Sequence, residues 1–276
     1  MASNAKNSDL MKVFGGDTGK WPRVFAAVAK HLYSRFHHLF DSFCPGLVER
    51  FPMYAKAVQD YLTSRGITFS SSFVGVRTAL MIDCNLIKTN RPGGGPSAAG
   101  ANAPRYNRNI QRAFYNGWGR NHGLKSEAAG SPDGLIGWLS KPKSLRHSDP
   151  WMLNTSRFNE KLGEAQEDND DDEQYTAYGD GAYWTMSHVR SKKGPLAVDE
   201  AMSSVRELIE HIFGETDSYF PYMADKKNLK LMSTQPLMEL YLSVQLLRNC
   251  YTCLYHDKTS NRLNCPPPSL ETYLAW

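Results

Sequence analysis

The sequence predicts an α/β fold: a small helical region, then short strands separated by turns, then two long helices. Apolar residues recur at three- and four-residue steps near the start of the chain and again near its end. Between them lie short apolar runs bounded by Gly, Pro, Asn and Asp, the pattern of strands in a layered domain.

The stretch FGGDTGKWP supplies turn punctuation, and Pro22 suits a first helical turn. Val24, Phe25, Val28, Leu32, Phe36 and Leu39 then line one face of a helix that ends before Pro45. A second helix is predicted over 52–62. Residues 1–70 thus read as a helical region with a modest core of its own.

Residues 78–87 form an apolar run that predicts a buried strand with Asp83 at its end. RPGGGPSAAGANAP is a loop by composition. Ser131-Pro132-Asp133-Gly134 is the best hairpin signal in the chain, because Pro presets a turn dihedral and Gly accepts positive φ. In EDNDDDEQYTAYGDGAY the crowded acids predict a solvated loop, since like charges repel. A short strand over 175–178 follows, and the isolated Asp180 stands at its end. Met202, Val205, Leu208, Ile209 and Ile212 predict a helix over 198–213 that carries Glu210, and a last helix is predicted over 236–254. The Pro-rich residues 257–276 read as an irregular tail.

A chain of 276 residues buries a substantial core without disulfides. Its five cysteines are odd in number and widely spread, which points to a reducing compartment. No run approaches the roughly 20 apolar residues of a membrane helix. The net charge of +4 names no partner, but its distribution is uneven. Residues 84–126 hold no Asp or Glu, while Lys88, Arg91, Arg105, Arg108, Arg112, Arg120 and Lys125 alternate with Tyr106, Phe114, Tyr115 and Trp118. Such a composition suits phosphate contact and base stacking.

Asp83, Asp180 and Glu210 are candidates to converge, two from strand ends and one from a helix. Three carboxylates offer hard oxygens to one or two Mg²⁺ ions, and two such ions promote phosphoryl transfer. The plainer alternatives are that each Asp forms a turn or cap, and that Glu210 pairs with Arg206 four residues earlier on the helix surface. Cys250 and Cys253 fall inside a helix without a second ligand pair, so they read as core residues rather than zinc ligands. Asp149 reads as a helix cap or an aid to the metal site.

The residues around these carboxylates, taken in order, resemble the nuclease domain of Harbinger-type (PIF/Harbinger) transposases and their domesticated relatives, the DDE superfamily endonucleases. The resemblance rests on Met81-Ile82-Asp83, Arg91-Pro92, Gln111-Arg112, Tyr115-Asn116-Gly117, His122-Gly123-Leu124-Lys125, Pro132-Asp133-Gly134-Leu135, Gly179-Asp180-Gly181-Ala182-Tyr183 and the Arg206–Glu210 pair. It implies an RNase H-like fold over 73–256, with a mixed β-sheet flanked by helices and both Asp residues on adjacent central strands. It also implies a metal-dependent nuclease using Asp83, Asp180 and Glu210 as catalytic residues and as ligands to two Mg²⁺ or Mn²⁺ ions.

DNA is the implied substrate, contacted by Arg91, Arg105, Arg108, Arg112, Arg120 and Lys125. His147, Asp149 and Arg206 are accessory candidates. A Myb-like partner protein, a homo-oligomer and a nuclear location also follow from the resemblance. The chain departs from the family at Asp83-Cys84 where Asp-Gly is common, at His147-Ser148-Asp149 where His-Asp is common, and at Asp217 where a Lys is frequent. The resemblance also implies a helix-turn-helix upstream of the matched residues, which on this reading is expected to be missing or cut short. These departures favour the alternative, a decayed or domesticated protein of the same fold that binds DNA or a protein partner without cutting.

Overall fold

The structure is a computed structural model that describes residues 7–17, 19–67, 77–92, 105–168, 174–183, 186–191, 196–231, 233 and 235–276, with the backbone alone described for 7–10, 105–108 and 196–199. Its first part is helical: α1 (Asn7–Phe14), α2 (Lys20–Phe36), α3 (His38–Asp41), α4 (Pro45–Val48) and α5 (Phe51–Ser64). Pro45 and Pro52 stand in the first turns of α4 and α5, where the missing N–H costs nothing. The strands and the helices between them follow as β1 (Thr78–Thr89), α6 (Arg105–Ala113), β2 (Tyr115–Asn116), β3 (Asn121–Gly130), β4 (Ile136–Leu139), β5 (Lys143–Ser144), α7 (Asp149–Ser156), α8 (Phe158–Glu164), β6 (Thr176–Gly179) and β7 (Val189–Ser191). The chain closes with α9 (Leu196–Tyr219), α10 (Pro221–Ala224), α11 (Leu237–Tyr255), α12 (Lys258–Arg262) and α13 (Leu270–Leu274).

The strands form one mixed sheet in the order β2-β3-β1-β6-β7, with β4 and β5 also paired to β3. β1 is central, antiparallel to β3 and parallel to β6, and β6 is parallel to β7. This is the expected mixed β-sheet flanked by helices and preceded by a helical region. Buried on both faces, β1 opens with the fully buried run Ala79, Leu80, Met81 and Ile82, as a central strand requires. The hairpin between β3 and β4 closes with Gly134 N–H donating to Ser131 O at 2.9 Å, and Gly134 takes φ +85°.

β1 runs from Thr78 to Thr89, so Asp83 lies within the strand rather than at its end. Antiparallel pairing with β3 carries β1 out to Thr89, opposite His122, whereas the parallel pairing with β6 stops at Met81 opposite Tyr178. Asp83 therefore sits where β1 loses its parallel neighbour.

The leading helices have no separate core. Ala29, Leu39, Phe40, Leu47 and Phe51 belong to the same buried cluster as the sheet residues and α9. The apolar faces of α2 and α5 find their partners in α11 and β1, because a short amphipathic helix is stabilised chiefly by the surface it packs on.

The tail is likewise not irregular throughout. Asp257 caps α12 in a reciprocal arrangement with Ser260, Ser269 caps α13, and Leu263, Cys265 and Tyr273 are buried. The fully buried Arg248 ties this segment down, donating to Asp257, to Gly134 O and to Glu215 at 3.1 Å. Asp133 is buried too, accepting from Tyr54 Oη and Ser131 Oγ at 2.6 Å each, so the Pro-Asp-Gly-Leu motif serves the fold. Among the described residues, no helix is long and apolar enough to cross a membrane.

Candidate active site

β1 places Asp83 in the sheet centre, β6 ends one residue before Asp180, and α9 packs across β1, β3 and β6. The helix lies close to the sheet because Gly130, opposite Met81, has no side chain. A Cβ there would come within 3.0 Å of the Ile209 and Ile212 methyl groups. With Ile209 and Ile212 turned to the sheet, Arg206 and Glu210 stand one helical turn apart at the border of the buried face.

One guanidinium nitrogen organises the site. Arg206 Nη1 lies 3.0 Å from Asp83 Oδ2 and 2.7 Å from Glu210 Oε1. Two of the three carboxylates thus face a single cationic point. The other oxygen of Asp83 accepts from Cys84 N–H at 2.7 Å. Asp180 acts electrostatically on both Asp83 and Arg206, while its own Oδ1 accepts from Ala182 N–H at 2.8 Å. Burial pushes the Asp83 carboxyl up to about 6, with Asp180 and Asp149 adding to the rise and Cys84 N–H and Arg206 opposing it.

The loop after β6 is fixed by Tyr183. Its ring is buried against Gly179, where a Cβ would meet the ring at 2.8 Å, and its hydroxyl lies 3.4 Å from Cys84 Sγ. The Gly-Asp-x-x-Tyr motif therefore works as a clamp in which the glycine admits the tyrosine and the tyrosine holds the turn that carries Asp180.

No family model, curated protein or solved structure matches this chain. The reading of the site accordingly rests on its geometry and on the motif resemblance.

In kind, the donors fit a small divalent cation, since they are anionic carboxylate oxygens. In arrangement Asp83 and Glu210 are set around a guanidinium, and among the described residues no three His, Cys, Asp or Glu side chains stand together closely enough to hold a metal ion. Arg206 is thus more than an accessory residue: it supplies the cation of the site as it stands.

Other expected site residues fall elsewhere. Lys125 is buried rather than offered to DNA, its Nζ donating to His147 O at 3.0 Å and to Asp149 Oδ1 at 2.6 Å. Asp149 does not cap α7, because Ser148 does so by accepting from Trp151 N–H at 3.4 Å. The His147 ring stacks on Trp151 at 3.6 Å and 11°, which commits it to that indole and not to the carboxylates. Arg91 donates to Gln111 Oε1 at 2.7 Å, and it, Arg112 and Arg120 are exposed. The side chains of Arg105 and Arg108 and the loop 93–100 lie outside the described residues, as do 169–173 of the acidic run.

One titratable group escaped the sequence reading. Glu127, opposite Cys84 on β3, is fully buried, and burial pushes its carboxyl up to about 8. Ser156 Oγ donates to its Oε2 at 2.8 Å, while Oε1 has no partner. Nothing in LKSEAAG marks this acid, because its burial comes from α7 and Tyr183 packing over β3.

Proposed function

We propose that the protein is a transposase-derived DNA endonuclease of the DDE type that hydrolyses phosphodiester bonds with Asp83, Asp180 and Glu210. The observation that carries this is the placement of Asp83 on β1 beside the end of the parallel strand β6, with Glu210 of α9 directed at the same cationic point. On this reading Asp83, Asp180 and Glu210 hold Mg²⁺ or Mn²⁺, which would supply charge neutralisation and an activated water for in-line attack on phosphorus.

The chain's own residues prepare that state. Arg206 offsets the repulsion between Asp83 and Glu210, and it would have to give up these contacts for a divalent ion to be held there. Cys84 N–H and Ala182 N–H orient Asp83 and Asp180, and Tyr183 keeps the Asp180 turn in place. The motif resemblance extends the proposal to nuclear action and to a Myb-like partner or a second copy of the chain.

The test is plasmid nicking in Mg²⁺ or Mn²⁺ by wild type, Asp83→Asn and Glu210→Gln. Both substitutions abolish metal-dependent nicking and leave DNA affinity within about twofold. Undiminished nicking by either variant sinks the assignment.

A second reading has one specific observation in its favour, the Arg206 ion pair itself. If Arg206 never yields, the protein is a DNA- or protein-binding relative that has lost cutting. Calorimetric titration with Mn²⁺ separates the two. Binding by wild type that is lost in Asp83→Asn supports the nuclease, and absence of binding in wild type supports the non-cutting form.

A further inference from the structure

The tertiary fold brings two basic, aromatic segments together that are separate in sequence. The tip between β2 and β3 presents Trp118, which is 95% exposed, beside the exposed Arg120. That tip is held in shape by Asn116 Oδ1 accepting from Gly119 N–H at 2.9 Å and by Asn121 Nδ2 donating to Gly119 O at 2.6 Å. Asn116 Nδ2 also donates to Leu145 O at 3.1 Å, which ties the tip to the segment joining β5 to α7. Ser144 Oγ donates to Ala113 O, closing the floor of an open groove of about 670 Å³ between the end of α6 and the start of α7. Phe114, Arg146, His147 and Trp151 line this groove, and the Trp151 indole is 38% exposed.

The charge of this surface is of one sign. Residues 84–126 contain no acid, and 128–148 contain only Asp133, which is buried and bound to Tyr54 and Ser131. Asp149 is neutralised by Lys125. The exposed Lys143, Arg146, Arg112 and Arg120 have no acidic partner among the described residues. The His147 imidazole reports the resulting field: its proton affinity is lowered by burial and then by Arg146, Lys143 and Lys125.

We propose that this surface binds single-stranded DNA, with Trp118 and Trp151 as stacking platforms for unpaired bases and Arg120, Lys143 and Arg146 as phosphate contacts. A duplex has its base faces already stacked, so an exposed indole gains little from it. An unpaired strand offers each base face to an aromatic ring and each phosphate to a cation. The inference rests on the DNA reading above but needs neither the carboxylates nor a metal, and it names the strand state that the surface selects.

Binding of a fluorescent oligothymidylate and of a duplex of equal length, measured by anisotropy in EDTA, tests it. Wild type binds the single strand more tightly and its tryptophan emission is quenched. Trp118→Ala, which removes a side chain with no packing role, weakens single-strand binding by about tenfold and duplex binding by less. Arg146→Ala lowers the slope of log K against log salt by about 0.7, as loss of one single-strand phosphate contact requires. Equal or tighter binding of the duplex, an unchanged affinity in Trp118→Ala, or equal competition by heparin overturns the proposal. Because the assay holds no metal, absent nicking with intact single-strand binding rejects the nuclease reading alone, and the converse rejects this one alone.

Discussion

Replacing Glu127 by Gln should remove a pH dependence of folding that the structure builds in. The carboxyl is fully buried between β3 and α7, and burial raises its proton affinity to about 8 from an ordinary value of 4.5. Folding therefore favours the protonated acid. Between about pH 4.5 and 8 the unfolded chain releases this proton while the folded chain keeps it, so the unfolded state binds fewer protons and stability falls as pH rises. The full contribution is present below about pH 4.5 and is lost by about pH 8.

The upper limit of the slope is about 1.4 kcal/mol per pH unit for one group, or about 3 kcal/mol accumulated by pH 7. Gln keeps the shape and still accepts from Ser156 Oγ, which donates to Glu127 at 2.8 Å, but it carries no ionisable proton. Urea unfolding of wild type and variant at pH 5, 6, 7 and 8 should give curves that diverge, with the variant gaining relative stability at each step. Groups remote from Glu127 are the same in both proteins and cancel in the difference. Parallel curves across that range would refute the reasoning, because they would mean that Glu127 is charged or solvated in the folded state.

Asp257→Ala leaves the buried Arg248 guanidinium with Glu215 as its one remaining ion-pair partner among the described residues, beside Gly134 O, and removes the cap of α12. Breaking such a pair costs about 3–5 kcal/mol, read as a drop in the midpoint of urea unfolding. Gly134→Ala places a Cβ at φ +85° against the Asp257 carboxylate, so it destabilises the hairpin and the tail together, by about 1–3 kcal/mol in the same assay. Cys250→Ser and Cys253→Ser should leave the melting temperature unaltered by zinc or chelator, since both thiols are half-buried within α11 and belong to its packing.

Much of the fold was legible in the sequence because periodicity is a local property. The apolar steps of 198–213 identify α9, and Ser131-Pro132-Asp133-Gly134 identifies the β3–β4 turn, since both are written into a few neighbouring residues. The place of Asp83 within β1 was not legible, because the strand continues past it by pairing with β3. The tail was misread for a related reason: its prolines suggested irregularity, but Asp257 and Ser269 cap short helices that Arg248 holds against the turn at Gly134.

The site divides in the same way. Local pattern singled out Asp83, Asp180 and Glu210 beside apolar runs and paired Glu210 with Arg206, because helical spacing is a local property. Only the tertiary structure decided that Arg206 Nη1 also reaches Asp83, that Lys125 is buried against Asp149, and that Glu127 is fully buried. It also joined Trp118 to the Arg146–Trp151 groove. Local sequence sets which faces are apolar and where carboxylates lie along each element. The charges that face one another, and the water left between them, depend on contacts between residues far apart in the chain.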